Sequence, residues 1–242
     1  MFDKRGYSLV EILLASTMAL VVLAAVVSVY LSGLGIQRAA RESYYISQNA
    51  SLALTQISSD FQMTALHSVK VWPDGVSMLS PVDMGSNKGF ELTPFGGPAW
   101  KKNVHYKIQR ATGKTSDLVR WETPVADPLL PPSITNPGLP DAGGRALLNG
   151  LLSPGQAIKP RADGVYELAP DKDSEGGFQV KFVRNDGTFS TDNPAAFSDH
   201  ERPHWTAGNT NLIEVRLTVL TLPSDSKVNC LEMVKRYYPR HP

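Results

Sequence analysis

The sequence predicts an α+β fold. One long N-terminal helix, membrane-spanning in its first half, packs its second half on an antiparallel β-sheet head. Three observations predict it. A run with no Asp, Glu, Lys, Arg or His extends from Ile12 to Gln37. A 3.6-residue apolar period then continues to Phe61. From His67 onward, short segments alternate apolar and polar residues between turn-forming residues.

The apolar run exceeds the ~20 residues that cross a bilayer core as a helix. It is too long for the core of a secretory signal peptide, and no small-residue cleavage site follows it. Lys4 and Arg5 precede it and Arg38 and Arg41 follow it, so the basic flanks decide orientation only weakly. Beyond Gly35, Ile36, Ala39, Ala40, Ile46, Ala50, Ala53, Leu54, Ile57 and Phe61 recur at spacings of three and four. Arg38, Arg41, Glu42, Gln48, Asn49, Gln56 and Asp60 fill the other positions. One helix from about Ser8 to about Leu66 accounts for both halves, roughly 90 Å at 1.5 Å per residue. The organisation expected is a leader over 1–6, a membrane helix over 7–35, its amphipathic half over 36–66 and a β-rich head over 67–242.

In the head, Val69 to Trp72 is a short strand before the turn Pro73-Asp74-Gly75. Gly89 to Thr93 is another short strand. Val104, Tyr106 and Ile108 alternate with His105, Lys107 and Gln109, and Asp117 to Glu122 is the partner strand. Phe178, Val180 and Phe182 alternate up to the turn Asn185-Asp186-Gly187, and Ile213, Val215, Leu217 and Val219 form the last strand. A period of two means one covered face, and the second half of the long helix is the natural cover. Pro124 to Gly177 holds nine of the 18 prolines and eight glycines, which reads as a surface insertion over 124–177. Ala146, Leu147, Leu148, Leu151 and Leu152 are expected to form one short helix within it. Such a loop on a rigid scaffold is also a natural place for partner contact.

Composition removes several functions. Lys plus Arg is 24 and Asp plus Glu is 23, a net charge of +1, so no basic surplus supports nucleic-acid binding. Cys230 is the only cysteine, which excludes an internal disulfide and a Cys-rich zinc site. His200-Glu201-Arg202-Pro203-His204 matches H-E-x-x-H in letters. The zinc chemistry needs both histidines one helical turn apart, and Pro203 breaks that turn. Gly113-Lys114-Thr115 lacks the glycine of a phosphate loop at Ile108, and Ser224-Asp225-Ser226-Lys227 lacks the companion motifs of an acylating serine. Asp171, Asp173 and Glu175 bunch before Gly176, but Phe182 stands where an EF-hand needs its glutamate, which leaves a solvated acidic turn or, as the alternative, a calcium site of another kind. Asn49-Ala50-Ser51 fits the glycosylation triplet in mid-helix, which argues against use. Lys235, Arg236, Tyr237, Tyr238 and Arg240 read as a solvated end, with contact to a neighbouring subunit or to DNA as the alternatives. No catalytic residue, cofactor or metal ligand is expected, and the chain is not read as an enzyme.

The remaining motif is Gly6-Tyr7-Ser8-Leu9-Val10-Glu11 at the mouth of the apolar helix. An acid there is costly, ~2.5–3.5 kcal/mol for a residue such as Asp at mid-bilayer and less near the interface. It persists where it finds a partner. Ser8-Leu9-Val10-Glu11 also fits a capping box, and an acid in the first turn suits the helix dipole.

This motif resembles the prepilin signature of the type IV filament superfamily, with Tyr7 where Phe is usual. The resemblance implies a pilin fold, cleavage by a prepilin peptidase between Gly6 and Tyr7, and N-methylation of Tyr7. It implies that Glu11 directs subunit assembly. A free Tyr7 amine, with an ordinary pKa of about 7.7–8.0, is mostly cationic at neutral pH. Paired with Glu11 of a neighbour at 4 Å it gains ~4 kcal/mol at an effective dielectric of 20, before desolvation.

Gln48-Asn49-Ala50, Ala53-Leu54, Ile57 and Asp60 resemble the helix end of PilW-type minor pilins. Phe178-Gln179-Val180, Trp205 and Val215-Arg216-Leu217 resemble the head of J-type minor pseudopilins of type II secretion. The absence of a proline in the apolar helix and of a disulfide is unlike most major pilins. The resemblance therefore implies a minor pilin that primes pilus assembly at or near the tip, with a pseudopilin as alternative and a signal-anchored periplasmic enzyme as a distant third. Implied partners are other minor pilins and the major pilin through their N-terminal helices, the prepilin peptidase and a tip adhesin. The implied location is the inner membrane before assembly and the filament tip afterwards.

Overall fold

The computed structural model describes residues 8–82, 93–94, 96, 99–110, 115–125, 137–140, 144–162, 166–184, 187–191, 212–221 and 228–238. The chain is α+β, with one apolar N-terminal helix and an antiparallel sheet. Helix α1 runs unbroken over Leu9–Gln62. Compact units cover 1–45 and 46–242.

In the first unit, the helix contains a stretch of mean hydropathy 2.6, long and apolar enough to cross a membrane. Its large side chains are exposed all round, from Leu9 and Ile12 to Tyr30 and Leu31. No stripe is reserved for a core, which is how a helix solvated by lipid is built. Ser16 and Thr17 donate their hydroxyls to the carbonyls of Leu13 and Leu14 at 2.9 Å, so these polar groups are satisfied within the helix.

In the second unit, Ala50, Ala53, Leu54, Ile57, Ser58 and Phe61 form the buried stripe of α1. The last turn tightens, with Met63 N bonding Asp60 O and Thr64 N bonding Phe61 O. The Thr64 hydroxyl then donates to Leu79 O at 2.8 Å, tying the helix end to the sheet. A 3₁₀ turn at Leu66–Ser68 leads into the strands.

The strands are β1 (Lys70–Trp72), β2 (Gly75–Ser80), β3 (Lys102–Arg110), β4 (Thr115–Pro124), β5 (Arg145–Leu152), β6 (Gln156–Pro160), β7 (Tyr166–Pro170), β8 (Phe178–Val183), β9 (Phe189–Ser190), β10 (Leu212–Thr221) and β11 (Asn229–Tyr237). The main sheet has the order β1-β2-β3-β4-β5-β10-β8-β9, with β11 also on β10 and every pairing antiparallel. Because β11 lines one side of β10 from Ile213 to Thr221, β8 and β5 share the other side. Val76, Met78, Val104, Tyr106, Phe182 and Val215 join the buried stripe of α1 in one core.

Strands expected around Val69–Trp72, Val104–Gln109, Asp117–Glu122, Phe178–Phe182 and Ile213–Val219 are present as β1, β3, β4, β8 and β10. Pro73 and Asp74 make the two-residue link between Trp72 and Gly75, which face each other. The strand expected at 89–93 falls mostly outside the described residues, as does Asn185-Asp186.

Two expectations are corrected. The segment 145–152 is not a short helix on a surface insertion but β5, paired with β4 along its length and with β10 at Leu151. Its side chains do not alternate cleanly because Gly150 stands at φ +81° and the register shifts between Ser116 and Val119. Leu148 and Leu151, an odd number of residues apart, therefore reach the same core. That spacing of three imitates a helix. Further along, β6 and β7 pair as a separate hairpin. The second correction concerns the C-terminal end. Asn229–Tyr237 is a full strand, and Tyr237 is 5% exposed, stacked on Phe61 with ring centroids 5.3 Å apart. Its hydroxyl donates to Leu54 O at 3.2 Å, and burial raises its pKa against a hydrogen bond with Ser58.

Candidate functional site

Gly6 and Tyr7 lie outside the described residues. Glu11 does not, and its geometry is that of a closed capping box. Ser8 N donates to Glu11 Oε2 at 3.0 Å, and Glu11 N donates to Ser8 Oγ at 3.2 Å. Two otherwise orphaned amides of the helix start are satisfied reciprocally. Within one chain the carboxylate thus already has a partner, one residue away from Tyr7.

The head carries a second charged constellation, built where the last turns of α1 cross β3 and β4. Arg120 Nε donates to Asp60 Oδ2 at 2.7 Å and its Nη2 donates to Asp60 Oδ1 at 3.3 Å. The same Nη2 reaches Glu122 Oε1 at 2.6 Å, and Lys102 Nζ reaches that oxygen at 2.9 Å. The Tyr106 hydroxyl also donates to Asp60 Oδ2. These four charged side chains are only 11–19% exposed. Two cations and two anions therefore neutralise each other in a nearly dry place.

The titration of each group follows. Burial works to lower the Arg120 pKa, but the hydrogen bond and charge of Asp60 outweigh it and raise it. Burial and Asp60 together raise Tyr106. Burial pushes Glu122 up, and the Lys102 and Arg120 bonds overcome it, leaving its pKa lowered. In the sequence, Asp60 stands out only as part of the helix-end resemblance. It is half-buried at the margin of the stripe, next to Phe61, and a carboxylate withdrawn from water there needs the cation that Arg120 supplies.

On the opposite face of the sheet a neutral relay is buried. Trp72 Nε1 donates to Ser77 Oγ at 3.1 Å, Ser77 Oγ lies 2.8 Å from His105 Nδ1, and His105 Nε2 lies 2.9 Å from Thr123 Oγ1. Both ring nitrogens of His105 thus have a hydroxyl partner, Ser77 on Nδ1 and Thr123 on Nε2, and one of the two bonds is donated by the ring. Ser77 is 1% and His105 4% exposed, and among the described residues the ring nitrogens are met by hydroxyls and not by a carboxylate. A serine so enclosed does not meet a substrate, and the relay reads as a buried polar clasp between β2, β3 and β4.

Burial lowers the His105 pKa from 6.5 to about 4. A group lowered in the folded state contributes stability that is complete above its unfolded pKa and is lost as pH falls toward the folded one. The loss between pH 6.5 and pH 4 is roughly 3 kcal/mol. We expect the urea midpoint to fall across that window by more in the unmodified chain than in His105→Gln. Parallel pH profiles for the two would refute the assignment.

The other motifs resolve simply. Asp171 Oδ1 accepts the Asp173 N–H at 3.1 Å within its own turn, and Glu175 pairs with Lys181 at 2.9 Å. The three acids thus do not converge, and no group of three metal-binding side chains occurs among the described residues. Asn49 is exposed within α1. His200–His204, Gly113-Lys114, Trp205 and Ser224–Lys227 lie outside the described residues. A cleft of about 550 Å³ opens between the β1–β2 turn and the start of β8, lined by Trp72, Pro73, Lys172, Asp173, Glu175 and Phe178. Its charges are of mixed sign. Comparison with protein-family models, curated proteins and solved structures gave no match.

Proposed function

We propose that the chain is a minor pilin of a type IV pilus, which primes assembly within a minor-pilin complex at or near the tip. One observation carries this reading. The motif Gly6 to Glu11 opens directly into a helix that continues from a lipid-compatible half into the core of a sheet-built head. A plain membrane anchor does not need the same helix for both tasks. A filament subunit does, because the rod must leave the bilayer with its head attached.

On this reading the chain waits in the inner membrane, anchored once. The peptidase releases Met1–Gly6 and exposes the Tyr7 amine, which is then methylated. Glu11 exchanges its bond to the Ser8 amide for the Tyr7 ammonium of a neighbour, and this exchange sets register. The apolar surface from Leu9 to Leu31 passes from lipid to neighbouring helices, both of which are dry, so little hydrophobic free energy opposes the transfer. The adjoining pilins, major and minor, are the partners, together with a tip adhesin.

The likeness of Phe178-Gln179-Val180 and Val215-Arg216-Leu217 to J-type pseudopilins supports a second reading, a subunit capping a secretion pseudopilus. Deleting the gene separates the two. Loss of surface pili and of twitching, with exoprotein release intact, is the expected result. Intact pili with exoproteins trapped in the periplasm would transfer the chain to the secretion system, and no change in either would remove both.

A further inference from the structure

The far edge of the main sheet is β11, whose inner side is paired with β10 and whose outer side, beyond the bond from Val228 N to Tyr166 O at 3.2 Å, meets no strand among the described residues. Thr218 donates its N–H to Gly177 O, on the β8 side of β10, at 2.7 Å. Backbone groups alternate sides along a strand, so Ile213, Val215, Leu217 and Val219 turn theirs toward β11. They face Tyr237, Lys235, Met233 and Leu231. The amides and carbonyls of Cys230, Glu232, Val234 and Arg236 therefore point away from β10, and among the described residues no strand pairs with them. A nine-residue strand with an open edge is long enough to template another chain.

We propose that β11 is a homotypic docking edge: two copies of this chain pair β11 to β11, antiparallel, about a two-fold axis through Val234. The axis stands perpendicular to the sheet, which keeps each face of one copy level with the same face of the other. Both edges bond only when the outward-pointing residues oppose one another. Centring at Glu232 sets two carboxylates together. Centring at Met233 sets Arg236 against Cys230, and centring at Lys235 sets it against Val234. Centring at Val234 alone sets Glu232 against Arg236, twice, with Val234 meeting its own copy between the two ion pairs.

The side chains are available for this. Val234 is 46% exposed, and the side chains of Glu232 and Arg236 are 51% and 59% exposed. Their bonds within the chain, Glu232 to Arg216 at 3.1 Å and Arg236 to Glu214 at 2.9 Å, hold them on one face without covering them. Charges usually blunt a sheet edge against association. Here their order converts that defence into a filter for one register. About six backbone hydrogen bonds close in it, two at Val234 and two at each ion pair. The second copy extends the sheet, and the inference stands whether or not the chain is a pilin, because it uses only the 46–242 unit.

Cysteine cross-linking of the full chain in detergent tests it, with Cys230→Ser as background. Opposed hydrogen-bonded residues have Cα atoms ~5.5 Å apart, within disulfide reach. Val234→Cys is therefore expected to form a disulfide dimer under mild oxidation. Glu232→Cys, equally exposed on the same face, would sit ~14 Å from its own copy and is expected to give at least tenfold less. Val234→Pro removes the central donor without touching the bonds to β10, and is expected to abolish cross-linking through a Glu232→Cys/Arg236→Cys pair. Equal yields from Val234→Cys and Glu232→Cys, including no dimer from either, overturn the proposal. So does cross-linking that survives Val234→Pro.

Discussion

Replacing Arg120 with Met will destabilise the head by about 3–5 kcal/mol, the usual cost of stranding a buried charge. Among the described residues, Arg120 is the one cation that touches both Asp60 and Glu122. Without it Glu122 keeps Lys102, but among the described residues Asp60 keeps only neutral donors, the Tyr106 hydroxyl and a long bond from Gln56 at 3.5 Å. A carboxylate 14% exposed then has no counter-charge at the place where α1 meets the sheet. Removing both partners, as Asp60→Leu with Arg120→Met, will cost markedly less than Arg120→Met alone, because no orphaned charge remains. Urea unfolding of the full chain in detergent, followed by tryptophan fluorescence, measures both. The sign of the pH dependence is also fixed. Glu122 is lowered in the folded state, so its contribution is complete above the ordinary glutamate range and fades as acid protonates it. A single variant within 1 kcal/mol of the unmodified chain would mean that the clamp is ornamental to stability.

The parts of this architecture that can be read in the sequence are those with a clean period. The stripe from Ala50 to Phe61 fixes the helix because each member repeats every three or four residues. Strands β3, β8 and β10 are legible because Val104, Tyr106 and Ile108, and their counterparts, sit on one covered face. Strand β2 is buried at every position from Gly75 to Ser80, so it has no alternation to read. Strand β5 loses its period at Gly150. Strand β11 looks like a charged tail because Glu232, Lys235 and Arg236 are exposed, while the residue that anchors it, Tyr237, finds Phe61 far away in sequence. The same holds for the clamp. Asp60, Tyr106, Arg120 and Glu122 are unremarkable one by one, and only β-pairing of Tyr106 with Arg120 beneath the helix makes them one group.

If the chain is a minor pilin as proposed, Glu11→Ala will leave removal of the leader intact and reduce incorporation into filaments by at least tenfold. On the proposed function the peptidase would cut between Gly6 and Tyr7, upstream of the change, so the processed mass should match that of the unmodified chain less the side-chain difference. Incorporation is another matter if the carboxylate is the partner of a neighbour's ammonium. The capping box complicates this, since Glu11→Ala also removes the bond to Ser8 N. Ser8→Ala separates the two roles. It deletes the hydroxyl that accepts the Glu11 N–H, a loss of typically ~1 kcal/mol at a helix start, and leaves the carboxylate in place. If Glu11 acts between subunits, Ser8→Ala filaments form at near-normal levels while Glu11→Ala filaments do not. Glu11→Gln, which keeps size and one acceptor but no charge, should then fail with Glu11→Ala. Should Ser8→Ala and Glu11→Ala fall together with Glu11→Gln intact, the glutamate works by starting its own helix, and register between subunits must be set elsewhere.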